Sequence, residues 1–294
     1  MSAGYDNSMQ PRRGTGSRWA IRLAPILMGV VAIAFFAISN WNVGPFGRNQ
    51  IRGLKPHEEK ALGLQAFQET LSGVRVVRGG MEAAEVKAVA QRLIAATQNP
   101  AFLQAVQLKP EDVDMEWAVE VVQSDEINAF CLPGGKMVVY TGILPVAEND
   151  AGLATVLGHE IAHALAHHGA ERMANEKIAQ IALSSAQGSL SDMDAAQRQG
   201  IMQALNAGAK YGILSYSRSH ESEADHVGLL LMATAGYDPQ ESIHFWERMA
   251  QATAGGARPP EFASTHPSHE TRISDLGEWT PEALQLYKMK AERE

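Results

Sequence analysis

Cysteine is nearly missing: Cys131 is the single one in 294 residues. No intramolecular disulfide framework can form. Cys131 lies in an apolar, strand-like stretch, where a free thiol reads as a small buried hydrophobe rather than a nucleophile. An excess of basic charge is missing too. Lys and Arg number 25 against 33 Asp and Glu, a net charge of −8. Phosphate binding needs clustered Lys and Arg, so nucleic acid is not an expected partner. There is no internal repeat and no low-complexity tract. What is present is apolar mass: 45% of residues are hydrophobic, enough for one main domain with a helical extension.

Charge is absent altogether from Leu23 to Gly47, and Leu23–Ile38 is continuously apolar or small. Trp19 and Trp41 bracket this run as an interfacial aromatic belt does. About 20 such residues cross a hydrocarbon core, so residues 19–41 are expected to be one retained transmembrane helix. Arg12, Arg13, Arg18 and Arg22 precede it. By the positive-inside rule the N-terminus stays in the cytoplasm, and the rest lies on the extracytoplasmic side of the cell inner (cytoplasmic) membrane. Arg48, Arg52 and Lys55 on the far side make that bias modest. A cleaved signal peptide is the rival; Ala37-Ile38-Ser39 offers a weak cleavage site, but the apolar run is long for one.

The expected organisation is a disordered cytoplasmic tail (1–18), the transmembrane helix, a Gly- and Pro-containing linker (42–56) and a soluble domain (57–294). His57–Leu71 and Glu82–Thr97 have helical periodicity. Trp117–Val122 alternates like a strand. Asn128–Leu132 and Lys136–Thr141 are apolar runs joined by Pro133-Gly134-Gly135, a hairpin signal. From Asn149 onward the pattern is helical, with a break near Ser184–Asp192. Helices, a small sheet, then more helices make an α+β fold.

The decisive segment reads His159-Glu160-Ile161-Ala162-His163 within an Ala- and Leu-rich helical context. Residues four apart share a helix face, so both imidazoles can meet one ion. Glu160 is then the candidate base for a water that zinc acidifies. A catalytic zinc takes three protein ligands and keeps one position open. His167 lies about 12 Å beyond His159 along the axis and cannot share the ion, and His168 is expected to point elsewhere. A second helix must supply the third ligand. In Ser217-Arg218-Ser219-His220-Glu221-Ser222-Glu223-Ala224-Asp225, Glu221 and Asp225 share a face and Glu223 does not. Glu221 is the expected ligand, and Asp225 orients a ligand or assists proton transfer. His266, before Pro267, is expected in a loop that reaches the metal. There it either fills the fourth zinc position at rest or donates to an oxyanion.

Four pieces together resemble one family. They are Asn128–Gly135 followed by Val138–Gly142, Gly158–His163, Ser217-Arg218 with Glu221–Asp225, and Ser264–Pro267 with Glu270–Ile273. In this order they are similar to the membrane-associated zinc peptidases that include HtpX, the CAAX prenyl endopeptidases, the Oma protease and the BepA type. The resemblance spans roughly Pro56–Leu276. It implies a gluzincin-type fold, one zinc on His159, His163 and Glu221, Glu160 as general base, and Asp225 as an active-site acid. HtpX and the CAAX peptidases carry several membrane spans. A single apolar run therefore favours the quality-control role of the Oma and BepA groups.

The expectation is a membrane-anchored zinc endopeptidase acting on unfolded or misfolded polypeptides. The hairpin supplies an edge strand onto which an extended substrate adds. Two alternatives stand beside it. One is a membrane-tethered chaperone or binding protein with little proteolytic activity. The other is a small-molecule zinc hydrolase, which needs a closed cavity rather than an open groove.

Overall fold

The turn signals of residues 117–141 become a three-stranded sheet. The structure is a computed structural model that describes residues 15–191, 193–254, 262, 266 and 271–292. Its strands β3 (Ala118–Val122), β4 (Ala129–Leu132) and β5 (Lys136–Tyr140) lie in the order β3-β5-β4. β5 runs parallel to β3 and antiparallel to β4, with Phe130 opposite Val138. Gly134 and Gly135, at φ 76° and 87°, make the β4–β5 turn in a region that L side chains avoid. The outer side of β3 is covered: Val77 N–H donates to the Val121 carbonyl and Gln123 N–H to that of Arg75. β4 is the other edge, and it lies beside the metal-motif helix.

The chain divides into two compact units. One is Asn40–Asn175 with Gly212–Glu294. Before its sheet come a hairpin, β1 (Trp41–Val43) and β2 (Asn49–Ile51), and helices α2 (Pro56–Ser72), α3 (Met81–Ala96) and α4 (Pro100–Val106). After the sheet come α5 (Leu144–Ala147), α6 (Asp150–Leu165) and the start of α7 (His168–Ser189). The rest of α8 (Ala195–Thr234), α9 (Glu241–Ala254) and α10 (Arg272–Ala291) complete it. The other unit is Met1–Ser39 with Glu176–Tyr211, which brings α1 (Thr15–Ser39) together with the end of α7 and the start of α8. Within it Gly29 of α1 faces Ser185, and Gly188 faces Pro25.

α6 forms because Asn149 caps it, accepting from Gly152 N–H at 2.8 Å, and because its residues are apolar on every side. A helix apolar all round belongs in a core. Leu153, Val156, Leu157 and Ile161 of α6 pack with Val86 and Leu93 of α3, Leu230 of α8 and Phe245 of α9, all fully or almost fully buried. The polar motif residues His159 and Glu160 are carried into that interior.

The expected helices at 57–71 and 82–97 and the strands at 117–122, 128–132 and 136–141 appear within two residues of those bounds. Three features add to these expectations. Trp41–Ile51, which overlaps the expected linker 42–56, forms the β1–β2 hairpin, held by pairing of Trp41 with Ile51 and Val43 with Asn49. Within the expected domain 57–294, Glu176–Tyr211 groups with the N-terminal helix. At 19–41 a helix is present but ends at Ser39, and among the described residues no helix is long and apolar enough to cross a membrane. The expected tail 1–18, except for its last four residues, lies outside the described residues.

Candidate metal centre

Two helices bring the candidate ligands together by backbone contact. A Cβ placed on Gly228 of α8 would lie 2.9 Å from the Gly158 carbonyl carbon and from the His159 nitrogen of α6. Only a glycine pair lets the helices touch there. Glu221 is almost two turns before Gly228, and His159 follows Gly158 directly, so the close crossing sets both side chains in one layer.

One nitrogen or oxygen from each of His159, His163, Glu221 and His266 falls within a sphere of contacts no wider than 4.8 Å. His159 Nε2 is 3.0 Å from His163 Nε2 and 3.4 Å from Glu221 Oε2. His163 Nε2 is 3.4 Å from Glu221 Oε1. His266 Nδ1 stands 3.2 Å from His159 Nε2 and 3.1 Å from both Glu221 oxygens. Tetrahedral zinc with bonds near 2.0–2.1 Å separates its ligand atoms by about 3.3 Å, so the donor set and its spacing fit that ion. The backbone of His266 is tied to Phe262, whose carbonyl accepts its N–H at 2.8 Å, and the two rings stack at 4.6 Å. Its neighbours Thr265 and Pro267 lie outside the described residues.

Glu160 points from the same helix into this group. Its Oε2 accepts from the Cys131 N–H of the edge strand at 3.2 Å. Its Oε1 is buried without a hydrogen-bond partner among the described residues and lies 3.4 Å from His266 Nε2. A buried, unsatisfied carboxylate oxygen is costly in a fold and valuable as a base. Burial pushes the Glu160 carboxyl pKa up. It likewise pushes up that of the adjacent Cys131 thiol, which keeps the thiol protonated and inert, as its apolar setting implied.

Asp225 is not among the four. It accepts from His159 Nδ1–H at 2.9 Å and so aims the opposite nitrogen, Nε2, at the cluster. Arg272, at the start of α10, braces both carboxylates: its Nε reaches Asp225 Oδ2 at 2.6 Å and its Nη2 reaches Glu221 Oε2 at 3.0 Å. The guanidinium lies 3.9 Å over the Trp246 ring. Burial opposes charge on His159, but Asp225 and Glu221 outweigh it and raise its pKa to about 10. Burial lowers that of His163 to about 3, leaving a neutral imidazole. Glu221 is held well below the carboxylate range despite burial, by the imidazoles of His159, His163 and His266 crowded against it.

The structure therefore brings His159, Glu160, His163, Glu221, Asp225 and His266 into one centre. His167 is elsewhere, as expected: it pairs with Glu59 at 2.7 Å. His168 does not point away. Its Nδ1 is 2.8 Å from His163 Nδ1, and its Nε2 is 2.7 Å from Glu223 Oε2. The helical stripe misled because α6 ends before it. His167 takes φ 53°, and α7 restarts the helix at His168 with a new phase. Arg272 and Arg48 were also not anticipated. Arg272 stands in the quoted Glu270–Ile273 piece, but nothing in its spacing told which carboxylates it meets.

A family model described as Peptidase family M48 matches residues 81–280. The mitochondrial metalloendopeptidase OMA1 of Schizosaccharomyces pombe is 41% identical over 170 residues, covering 58% of this chain and 48% of that protein. The metalloendopeptidase OMA1 of Bos taurus is 29% identical over 281 residues, 92% of this chain and 51% of its own length. The beta-barrel assembly-enhancing protease of Escherichia coli K12 is 34% identical over 159 residues, 53% of this chain and 32% of that one. The chain thus spans about half or less of these relatives.

Proposed function

The chain belongs to peptidase family M48, and on that premise we propose that it is a zinc-dependent endopeptidase for unfolded or misfolded polypeptides. One observation carries this reading: a buried carboxylate oxygen of Glu160, without a hydrogen-bond partner among the described residues, lies beside a four-donor cluster whose spacing suits zinc. His159, His163 and Glu221 would hold the ion, one per chain. When bound, zinc would polarise the scissile carbonyl and acidify a water.

The chain's own residues do the remaining work. Glu160 Oε1 takes the proton from the attacking water, and its raised pKa suits returning that proton to the leaving amine. Asp225 and Arg272 hold His159 and Glu221 in place. The edge strand β4 offers main-chain groups to an extended substrate next to Glu160, which accepts from its Cys131 N–H. Reading the backbone rather than side chains suits unfolded segments of varied sequence and a role in quality control. His266 would be the fourth donor at rest, and because a catalytic zinc needs an open position, it would have to give up that place to substrate.

A closed set of four donors is also what a structural zinc in a chaperone-like protein has. The orphaned Glu160 oxygen argues the other way, since a structural site has no use for an unsatisfied base. A cavity beside His159, lined by Thr155, Asp225, Met232 and Trp246, holds about 10 Å³, room for a single water; Glu160, His163, Glu221 and His266 do not line it.

We further infer that α1 rests in a bilayer and that the catalytic unit lies on the extracytoplasmic side of the inner membrane. The exposed Leu23, Leu27, Val31, Phe35 and Ile38 support lipid contact. The purified chain, loaded with zinc, should cleave an unfolded protein internally, lose that activity to a chelator and regain it with added zinc. Cleavage that survives full removal of the metal would refute the reading.

A further inference from the structure

Both nitrogens of His163 are engaged. Nε2 faces the metal cluster, and Nδ1 lies 2.8 Å from Nδ1 of His168. Only one proton can sit between two nitrogens. Which ring carries it decides whether His163 can ligate, because a ligating Nε2 must offer a lone pair and the ring proton must then be on Nδ1.

The far side of His168 answers this. Its Nε2 is 2.7 Å from Glu223 Oε2, and a carboxylate at that site can only accept. The His168 ring proton is therefore on Nε2, its Nδ1 is an acceptor, and His163 must donate from Nδ1. The lone pair left on His163 is the Nε2 pair that faces the cluster. His168 is 4% exposed and Glu223 pairs with a fixed cation, so neither group is free to reorient. That cation is Arg48, from the β1–β2 hairpin. Its Nε and Nη2 donate to the two Glu223 oxygens at 2.9 and 2.8 Å, and its Nη1 and Nη2 donate to Glu171 at 2.9 and 2.8 Å. Next to it Phe46 stacks on His226 of α8 at 4.5 Å. The hairpin thus grips the helix that carries Glu221 at two points, one on each side of Asp225.

We propose that His168 and Glu223 are positioning residues for the metal centre: Glu223 sets the tautomer of His168, and His168 in turn presents the Nε2 lone pair of His163 to the ion, with Arg48 anchoring the chain. His159 has its own carboxylate, Asp225, in direct contact. His163 reaches its carboxylate through an interposed imidazole. Outer partners of this kind orient a metal-bound imidazole and raise its basicity, and their loss weakens metal binding. The proposal rests on the reading of His159, His163 and Glu221 as zinc ligands.

The test is metal affinity, measured by chelator competition on the full chain, together with the visible spectrum of the cobalt(II) form. His168→Leu removes the acceptor, and Glu223→Ala releases the tautomer; each should weaken zinc by about 10- to 100-fold and shift the cobalt bands. His168→Asn puts an amide oxygen near the place of Nδ1 and should restore most of the affinity. The double variant should lose no more than His168→Leu alone, because both act through one path. Affinities within about twofold of wild type, or losses that add, would overturn the proposal. The melting temperature of the metal-free proteins reports a purely structural effect separately. If His168→Leu does not fold, Glu223→Ala compared with His168→Asn decides the matter. Because the readout is binding, a chain that holds zinc but cleaves nothing fails as a peptidase without touching this proposal.

Discussion

Gly228 of α8 and Gly158 of α6 meet backbone to backbone, and this contact sets the separation of the two ligand-bearing helices. A methyl group at 228 would sit 2.9 Å from main-chain atoms on the other helix, which no rotamer change relieves. Gly228→Ala should therefore destabilise the metal-free protein by about 1–3 kcal/mol, the usual range for overpacking. It should also weaken zinc, since Glu221 moves with the helix. Calorimetry of the metal-free form and a chelator titration check both effects; an unchanged melting temperature would mean that the helices part at no cost.

Glu160→Gln should keep one zinc per chain and lose hydrolysis, by about 10²-fold or more. The amide still accepts from the Cys131 N–H but cannot take a proton. Metal analysis and a digest of an unfolded protein test this. The variant should also retain uncleaved polypeptide, which makes it the tool for finding substrates.

Glu221→Ala should lose zinc or bind it very weakly. Glu223→Ala should still bind a full equivalent when zinc is in excess, though with lower affinity. The two carboxylates are about 200° apart around the helix, so only Glu221 faces the cluster. Equal metal content in both variants under limiting zinc would contradict this assignment.

His266→Ala should raise turnover on an unfolded substrate while lowering zinc affinity. On the proposed reading its Nδ1 would take the place that a catalytic ion leaves open. A fall in turnover of about 10²-fold instead would assign the ring to oxyanion stabilisation. Steady-state rates at saturating zinc separate the two.

Residues beyond Trp41 should be accessible from outside the cytoplasmic membrane, and the protein should resist carbonate extraction. Reporter fusions after Asn42 and fractionation test the anchor. A mature protein that starts near Asn40 and extracts freely would identify a signal peptide.

Much of this was written in local order. The His159-Glu160-x-x-His163 spacing and the Glu221/Asp225 spacing follow from 3.6 residues per turn, and each stays within one uninterrupted helix. The Pro133-Gly134-Gly135 turn and the strands around it follow from alternation and from the φ values that only glycine adopts readily. The same reasoning failed one step past His163. His167 bends into the left-handed region, and no periodicity carries across such a break.

By itself, the sequence determined the candidate ligands that lie on single helices, the candidate base between them and the edge strand, because these depend on short-range geometry. Only the tertiary structure decided which groups stand behind the ligands. Arg48 and Glu223 are 175 residues apart, and Arg272 and Glu221 are 51 apart. Their pairing depends on how elements cross, above all at Gly158 and Gly228. A charged side chain read in isolation looks the same whether it faces water or, like Arg272, lies buried against two carboxylates. The difference is the desolvation that makes such a pair form only where the fold has already excluded water.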